Sequence, residues 1–279
     1  MAMNYAHKYE TKVDEAFKLG SISKAFTNND YDWTGVDTIE VYSIPTVALV
    51  DYTLTGATRY GTASELQNSI QTMLLTKDRS FTFTIDSKSN DDANGVMNAG
   101  RALRRQIDER VTPEIDTYVF AKMGAAATAN SKVATATVTA GNAYEKFLDG
   151  QVSLGNDLVP LMGRIAAISY GFLKFIKLDP SFMLASDIAM GKKVNGQIGE
   201  VDGVKLVLVP GTLLPTNCAF ILTHPVATVE ANKLTSYVTH HNPIGINGDV
   251  VEGRIRYDAF VLSNKVDAIF MHLTAAVSA

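Results

Sequence analysis

The chain has 279 residues, 46% hydrophobic and 19% charged, which is enough apolar material for a sizeable core and excludes a disordered polymer. Its 25 Lys and Arg against 29 Asp and Glu leave a net charge of -4, which excludes a protein that grips nucleic acid through a basic field. A single cysteine, Cys218, rules out a disulfide framework or a cysteine-rich zinc module within one chain. At this length the chain forms one large domain or two ordinary ones.

Residues 1–30 read as an arm with one short amphipathic helix, because Tyr9, Val13 and Phe17 recur four residues apart. The stretch 20–30 (GSISKAFTNND) is small and polar, so the arm has to lie on something else. Residues 36–54 (VDTIEVYSIPTVALVDYTL) are rich in Val, Ile, Thr and Tyr and predict a long strand. Residues 68–86 end in FTFTID, where Phe81, Phe83 and Ile85 alternate with Thr82, Thr84 and Asp86. Gly56 and Gly61 punctuate the segment between them, and the pair predicts one long hairpin. A lone hairpin is marginal in water, and no helix is interleaved to cover it, which points to cover from another subunit.

A helix follows over about 92–125. Ala99, Leu103, Ile107, Val111, Ile115, Val119 and Met123 form an unbroken series spaced by four. Such spacing drifts by about 40° per step on an α-helix, so the apolar stripe winds around the rod and cannot face a single core. Pro113 is expected to kink or restart the helix, with Thr112 as the N-cap. The Ala/Thr stretch 124–143 reads as a mobile connection. Beyond it, a helix starting at 144–148 and buried strands at 164–169, 204–209 and 219–222 alternate. Two strand-like runs flank Ser263-Asn264-Lys265 within 250–270. The fold class is α+β, with early and late strands meeting in one sheet.

The opening MAMNYAHKYETKVDE has no apolar run and predicts no signal peptide. Residues 206–229 lack any Asp, Glu, Lys or Arg, but Pro210, Pro215 and Pro225 make strands and turns there rather than a membrane helix. No Asn-x-Ser/Thr sequon occurs, and the expectation is a soluble protein made in a reducing cytoplasm, with no membrane partner.

Sites of chemistry are sought without result. Gly191 to Ile198 (GKKVNGQI) imitates a phosphate-binding loop, but Gln197 and Ile198 stand where its lysine and hydroxyl belong. No serine-hydrolase elbow occurs. His7, His224, His240, His241 and His272 show no metal-ligand spacing, and surface or interface histidines are expected. Cys218 precedes an apolar run and is expected to be inert core. Arg101, Arg104, Arg105 and Arg110 cluster on the helix, yet Asp108 and Glu109 follow two of them by four residues and predict ion pairs on a solvated or intersubunit face. No catalytic, cofactor-binding or metal-binding residues are assigned, and the chain is expected not to be an enzyme.

An arm, a long hairpin, a backbone helix, a second α/β region and a returning strand pair, in that order, resemble the major capsid protein of tailed bacteriophages and prophages, the Hong Kong 97-type fold. The strings YDWTGVDTIEVYSIPTVALVDY, DRSFTFTID and ALRRQIDERVTPEIDTYVFAKM look like that family, as do VNGQIGEVDGVKLVLVP, ILTHPVATVEANKL and GRIRYDAFVLSNKVDAIF. The resemblance implies an N-terminal arm (1–30), an extended loop lying on a neighbouring subunit (31–86), and a spine helix with peripheral domain (87–139). An axial domain (140–248) and return strands completing the peripheral sheet (249–279) would follow.

By the same resemblance the protein self-assembles into pentamers and hexamers of an icosahedral shell, enclosing double-stranded DNA without sequence-specific binding and needing no cofactor. It implies a separate scaffolding protein and a portal as partners, assembly in the host cytoplasm and residence in the virion. Some members weld subunits by an isopeptide bond from a loop lysine, but residues 54–70 carry Arg59 and no lysine, so no weld is expected. An encapsulin-like compartment shell is the alternative, and a soluble enzyme with an unrecognised site in 144–248 a third reading.

Overall fold

The computed structural model describes residues 20–28, 30, 31, 33, 38–63, 65–92, 98–185 and 199–275. The helix expected around Tyr9, Val13 and Phe17, the loop 191–198 and His7 lie outside these residues.

The arm enters as a 3-10 turn, Ser23–Ala25. Strands β1 (Thr38–Ser43) and β2 (Ser69–Leu74) pair antiparallel and, among the described residues, form a sheet of two strands. Then come β3 (Lys77–Asp86), α1 (Ser87–Asp92), α2 (Ala99–Gln106), a π-helical turn (Ile107–Val111) and α3 (Thr112–Ala129). The second region holds β4 (Val133–Thr135), α4 (Ala143–Asn156), β5 (Ile165–Ser169), α5 (Tyr170–Leu178), α6 (Pro180–Ala185), β6 (Glu200–Val201), β7 (Val204–Val209) and β8 (Cys218–Thr223). The chain ends with β9 (Thr228–His241), β10 (Gly248–Val261) and β11 (Ile269–Leu273).

Two larger sheets organise these elements. One has the order β3-β10-β9; the other runs β4-β11-β8-β5-β7-β6. The six-stranded sheet is covered on both faces, so its inner strands are apolar without a polar alternate. Along β5, Ile165 and Ala167 face a core built on α3 (Val119, Phe120, Met123), while Ala166 and Ile168 face a second core with Phe147 of α4 and Phe172 of α5. In β8, Ile221 joins the first core, and Phe220 and Leu222 the second. Period 2 is therefore present, but it separates two apolar layers.

Four expectations need correction. The long hairpin is divided: only six residue pairs join β1 to β2, and β3 pairs along its length with β10. The cause is the alternation of Phe83 and Ile85, whose apolar face needs cover and finds it in Val251, Ala99 and Leu103. The rod restarts beside Pro113 as expected, with Pro113 in the first turn of α3, but the break is a π turn, and Thr112 is no cap, since Val111 precedes it in helical conformation without a side-chain cap. The wider π turn accommodates Pro113, whose ring crowds the preceding turn of a regular helix.

The supposed mobile connection is structured: 124–129 are the last turns of α3, and 133–135 form an edge strand parallel to β11. Its small residues are packing devices. A Cβ on Gly124 would lie 2.9 Å from the Pro215 ring, and Ala127 is fully buried. Lastly, the two terminal runs do not share a sheet. β10 lies between β3 and β9, whereas β11 sits in the six-stranded sheet beside β8. Early and late strands do meet, as β3 with β10.

Candidate assembly interface

The ribbon between β1 and β2 contrasts a fastened root with a bare outer part. At the root, Met73 and Leu75 are buried against Val229, Ala231, Leu262 and Trp33, and Trp33 stacks on Phe260 with ring centroids 5.5 Å apart. The Gln71 amide clasps the far end of β10 from both sides: Nε2 donates to the Val261 carbonyl at 2.8 Å, and Oε1 accepts from the Ser263 amide at 2.8 Å. At the corner into β3, the amide and hydroxyl of Thr76 donate to Asp258 at 2.9 and 2.6 Å.

Asp258, almost fully buried, also accepts from the Tyr118 hydroxyl of α3 at 2.9 Å. Burial opposes its ionisation, but the donors from Thr76, Ala259 and Tyr118 outweigh that and hold the carboxyl below its usual range.

Residues 44–63 and 65–68 leave this root with their large apolar side chains exposed. Leu49 is fully exposed, Leu54 82% and Tyr60 86%, with Ile44, Val47, Val50 and Leu66 exposed as well. The tip nevertheless has a shape of its own. Thr53 N–H donates to Arg59 O at 3.1 Å, Arg59 Nε to Gly56 O at 3.2 Å, and Tyr52 meets Tyr60 edge-on at 5.0 Å. Gly61, at φ +79, closes the turn where a Cβ would stand 2.7 Å from Val50. Apolar side chains presented on an ordered strip, with no core of their own, mark a contact surface.

A second bare surface is the loop after α4. Leu158, at φ +58, is 91% exposed, and Leu161 and Met162 are also exposed. Its frame is the buried Arg164, whose guanidinium donates to the carbonyls of Pro160, Gln151 and Val159 at 3.0, 3.3 and 2.6 Å. Burial lowers the Arg164 pKa from its ordinary value. The left-handed Leu158 closes the C-terminus of α4: its amide donates to the Gly155 carbonyl at 3.1 Å and the Val159 amide to the Leu154 carbonyl at 3.0 Å, the paired bonds that end a helix in this way. The turn joining β9 to β10 adds a fully exposed Ile244.

The chemistry-bearing residues are dispersed. Cys218 is buried and its thiol is pushed up to about 12 by that burial. His240 lies 3.6 Å from Glu252 and His241 2.7 Å from Asp249, both across the β9–β10 ladder. His224 ring nitrogens meet the Met162 carbonyl and the Val226 amide. His272 departs from the expected surface role: it is fully buried, stacked on Phe220 at 5.3 Å, with Nε2 3.3 Å from the Ala136 carbonyl.

The two helical ion pairs are present, Arg104–Asp108 at 3.9 Å and Arg105–Glu109 at 2.8 Å. Among the described residues, no three His, Cys, Asp or Glu converge as a metal site, and no helix is long and apolar enough to cross a membrane.

Sequence reasoning marked the ribbon but missed Gln71, Asp258, Leu158 and Arg164. Gln71 and Asp258 have partners over a hundred positions away, Leu158 acts through a backbone angle, and Arg164 bonds nearby main-chain carbonyls that any sequence supplies, so none of them leaves a local signal.

No protein-family model and no curated protein matches the chain. Solved structures do. One from Mycobacterium phage Che8 superposes with a TM-score of 0.71 at 14% identity, covering 96% of each chain. The mature capsid of bacteriophage PhiM1 gives 0.70 at 12% identity over 98% of this chain and 93% of that one. The capsid of Cyanophage P-SCSP1u gives 0.70 at 11% identity over 97% and 93%. The likeness runs nearly end to end and is one of fold.

Proposed function

We propose that this chain, which has the fold of those phage capsid structures, is a Hong Kong 97-type major capsid protein that builds the head shell of a tailed bacteriophage or prophage. One observation carries the reading: an ordered, apolar ribbon stands bare on a body that shares the fold of the PhiM1 and P-SCSP1u capsids end to end. A second copy supplies the missing cover. Pentamers and hexamers close an icosahedral wall around double-stranded DNA, and a net charge of -4 keeps the wall from adsorbing what it encloses.

The role is structural. Repeated interfaces hold such a wall through shape and apolar contact, and no reactive side chain is needed. Scaffolding during assembly, a portal at one vertex, host-cytoplasm assembly and virion residence belong to the same reading. So does the division into arm (1–30), extended loop (31–86), spine and peripheral part (87–139), axial part (140–248) and return (249–279). Strand pairing favours moving 228–241 to the peripheral side and 269–273 to the axial side of that division. With no lysine in residues 54–70, subunits remain unwelded, and boiled shells run as single chains on a denaturing gel.

Negative-stain microscopy of the purified protein tests the reading. Shells, tubes or rings are expected from the parent chain. The Leu49→Asp/Leu54→Asp variant keeps its melting temperature, because both side chains are exposed, but stays unassembled. Particles formed equally well by that variant, or a parent that remains a small oligomer at every concentration, overturn it.

A further inference from the structure

Where β9 turns into β10, the ladder carries a histidine–carboxylate pair on each of its two faces. We propose that copies of this chain share a divalent cation of the zinc class there, held by His240 and Glu252 of one copy and His241 of the next. His240 and His241 are adjacent on β9 and therefore point to opposite faces. His241 lies directly opposite Asp249 in the register, while Glu252 is diagonal to His240 on the other face. Among the described residues, no third His, Cys, Asp or Glu joins either pair. One chain thus holds two incomplete ligand sets that face away from each other.

The two halves differ as the ligands of one site differ. His240 Nε2 and Glu252 Oε2 stand 3.6 Å apart, too far for a hydrogen bond. Two ligands of a tetrahedral zinc are separated by about 3.3 Å, given bonds of about 2.0–2.1 Å to imidazole nitrogen and carboxylate oxygen. The pair is spaced to chelate, and both side chains are about half exposed. His241 is held for a single bond instead. Its Nδ1 stands 2.7 Å from Asp249 Oδ1, and since a carboxylate oxygen accepts, Nδ1 carries the proton. The Nε2 lone pair is left outward on a side chain that is 75% exposed. Backing an imidazole with a carboxylate in this way is how proteins orient a ligating histidine.

Two imidazoles and one carboxylate make the three-ligand set of an open zinc site, whose fourth position takes water. Magnesium and calcium prefer oxygen ligands and do not suit it. Because the halves lie on opposite faces, each copy gives one and receives the other. A head-to-tail contact of that kind closes into a ring or runs on as a filament. Val238, exposed on the His240 face, and the fully exposed Ile244 of the turn supply apolar contact around the metal. The site belongs to the paired strands and does not rest on the shell reading.

Calorimetric titration of the untagged, metal-stripped, full-length protein with zinc chloride tests it, with magnesium chloride as the control that is expected not to bind. His240→Ala and His241→Ala are each expected to weaken zinc binding about tenfold or more, with the melting temperature unchanged because both side chains are exposed. Asp249→Asn keeps all three ligands and removes only the group that orients His241, and is expected to weaken binding about tenfold. The most telling sample is His240→Ala co-expressed with His241→Ala. Each variant retains the half that the other lacks, so a fraction of the tight sites returns in mixed assemblies. Zinc binding in the parent no tighter than in the His240→Ala/His241→Ala double variant overturns the site. So does tight binding kept by either single variant, or a co-expressed pair that binds no better than its members. Shells that bind no zinc end this site and leave the shell reading standing.

Discussion

Gly248 opens β10 at φ +153, where a Cβ would come within 2.1 Å of the Ile85 carbonyl oxygen. A backbone oxygen in a paired strand cannot step aside, so Gly248→Ala is expected to destabilise the fold by about 1–3 kcal/mol in urea denaturation. Gly211→Ala, with open space around its Cβ position, is expected to stay within about 0.5 kcal/mol. Acid sensitivity is also decided by single residues. Burial lowers the His272 pKa, and its link to the Ala136 carbonyl only partly opposes this. A depressed folded pKa means that stability is fully present above the unfolded value of about 6.5 and is lost as pH falls through the folded one. His272→Phe should therefore shrink the drop in melting temperature between pH 7 and pH 5; an unchanged drop would sink the assignment. Asp258 acts further down: its stabilisation holds above about pH 3.9 and disappears as pH falls through its lowered value. Asp258→Asn is expected to flatten that lower limb of a stability–pH curve.

The helical rod shows what an element's pattern reveals and conceals. Seven apolar residues spaced by four were legible as a winding stripe, and the structure splits their duties. Ala99 and Leu103 pack on Val251 and Ile85 beside the three-stranded sheet, whereas Ile115, Val119 and Met123 reach the six-stranded one. Ile107 and Val111 lie in the π turn between the two and are only half-buried. Met123→Ala should thus cost about 2–5 kcal/mol, and Ile107→Ala about 1 kcal/mol or less. Equal losses in denaturation would contradict the division. The π turn itself was not legible, because it differs from its neighbours by a shift of hydrogen-bond partner and not by residue type. The alternation of Phe81, Phe83 and Ile85 announced a strand, but its partner β10 lies some 170 positions on, and local periodicity says nothing of distant pairing. The Ala/Thr run misled for a related reason: small residues look loose until the surface they approach is known, here Pro215 and Met271 against Gly124.

At the scale of the whole molecule, the order of elements was more legible than any contact. The ribbon stood out in the sequence as two apolar strands without cover, although its root and its tip proved to be different structures. What escaped was how the parts are joined. β10 pairs with β3 on one side and β9 on the other for most of its length, and α3 leans on both sheets. The ribbon's root is tied into this junction through Gln71 to Val261 and Ser263, and through Thr76 to Asp258. A pull on the ribbon is therefore delivered to the middle strand of the three-stranded sheet rather than to a dangling thread. In the proposed shell, a load carried by the ribbon would reach β10 through two separate links, Gln71 and Thr76, so that loss of either would soften the anchorage without freeing the strip.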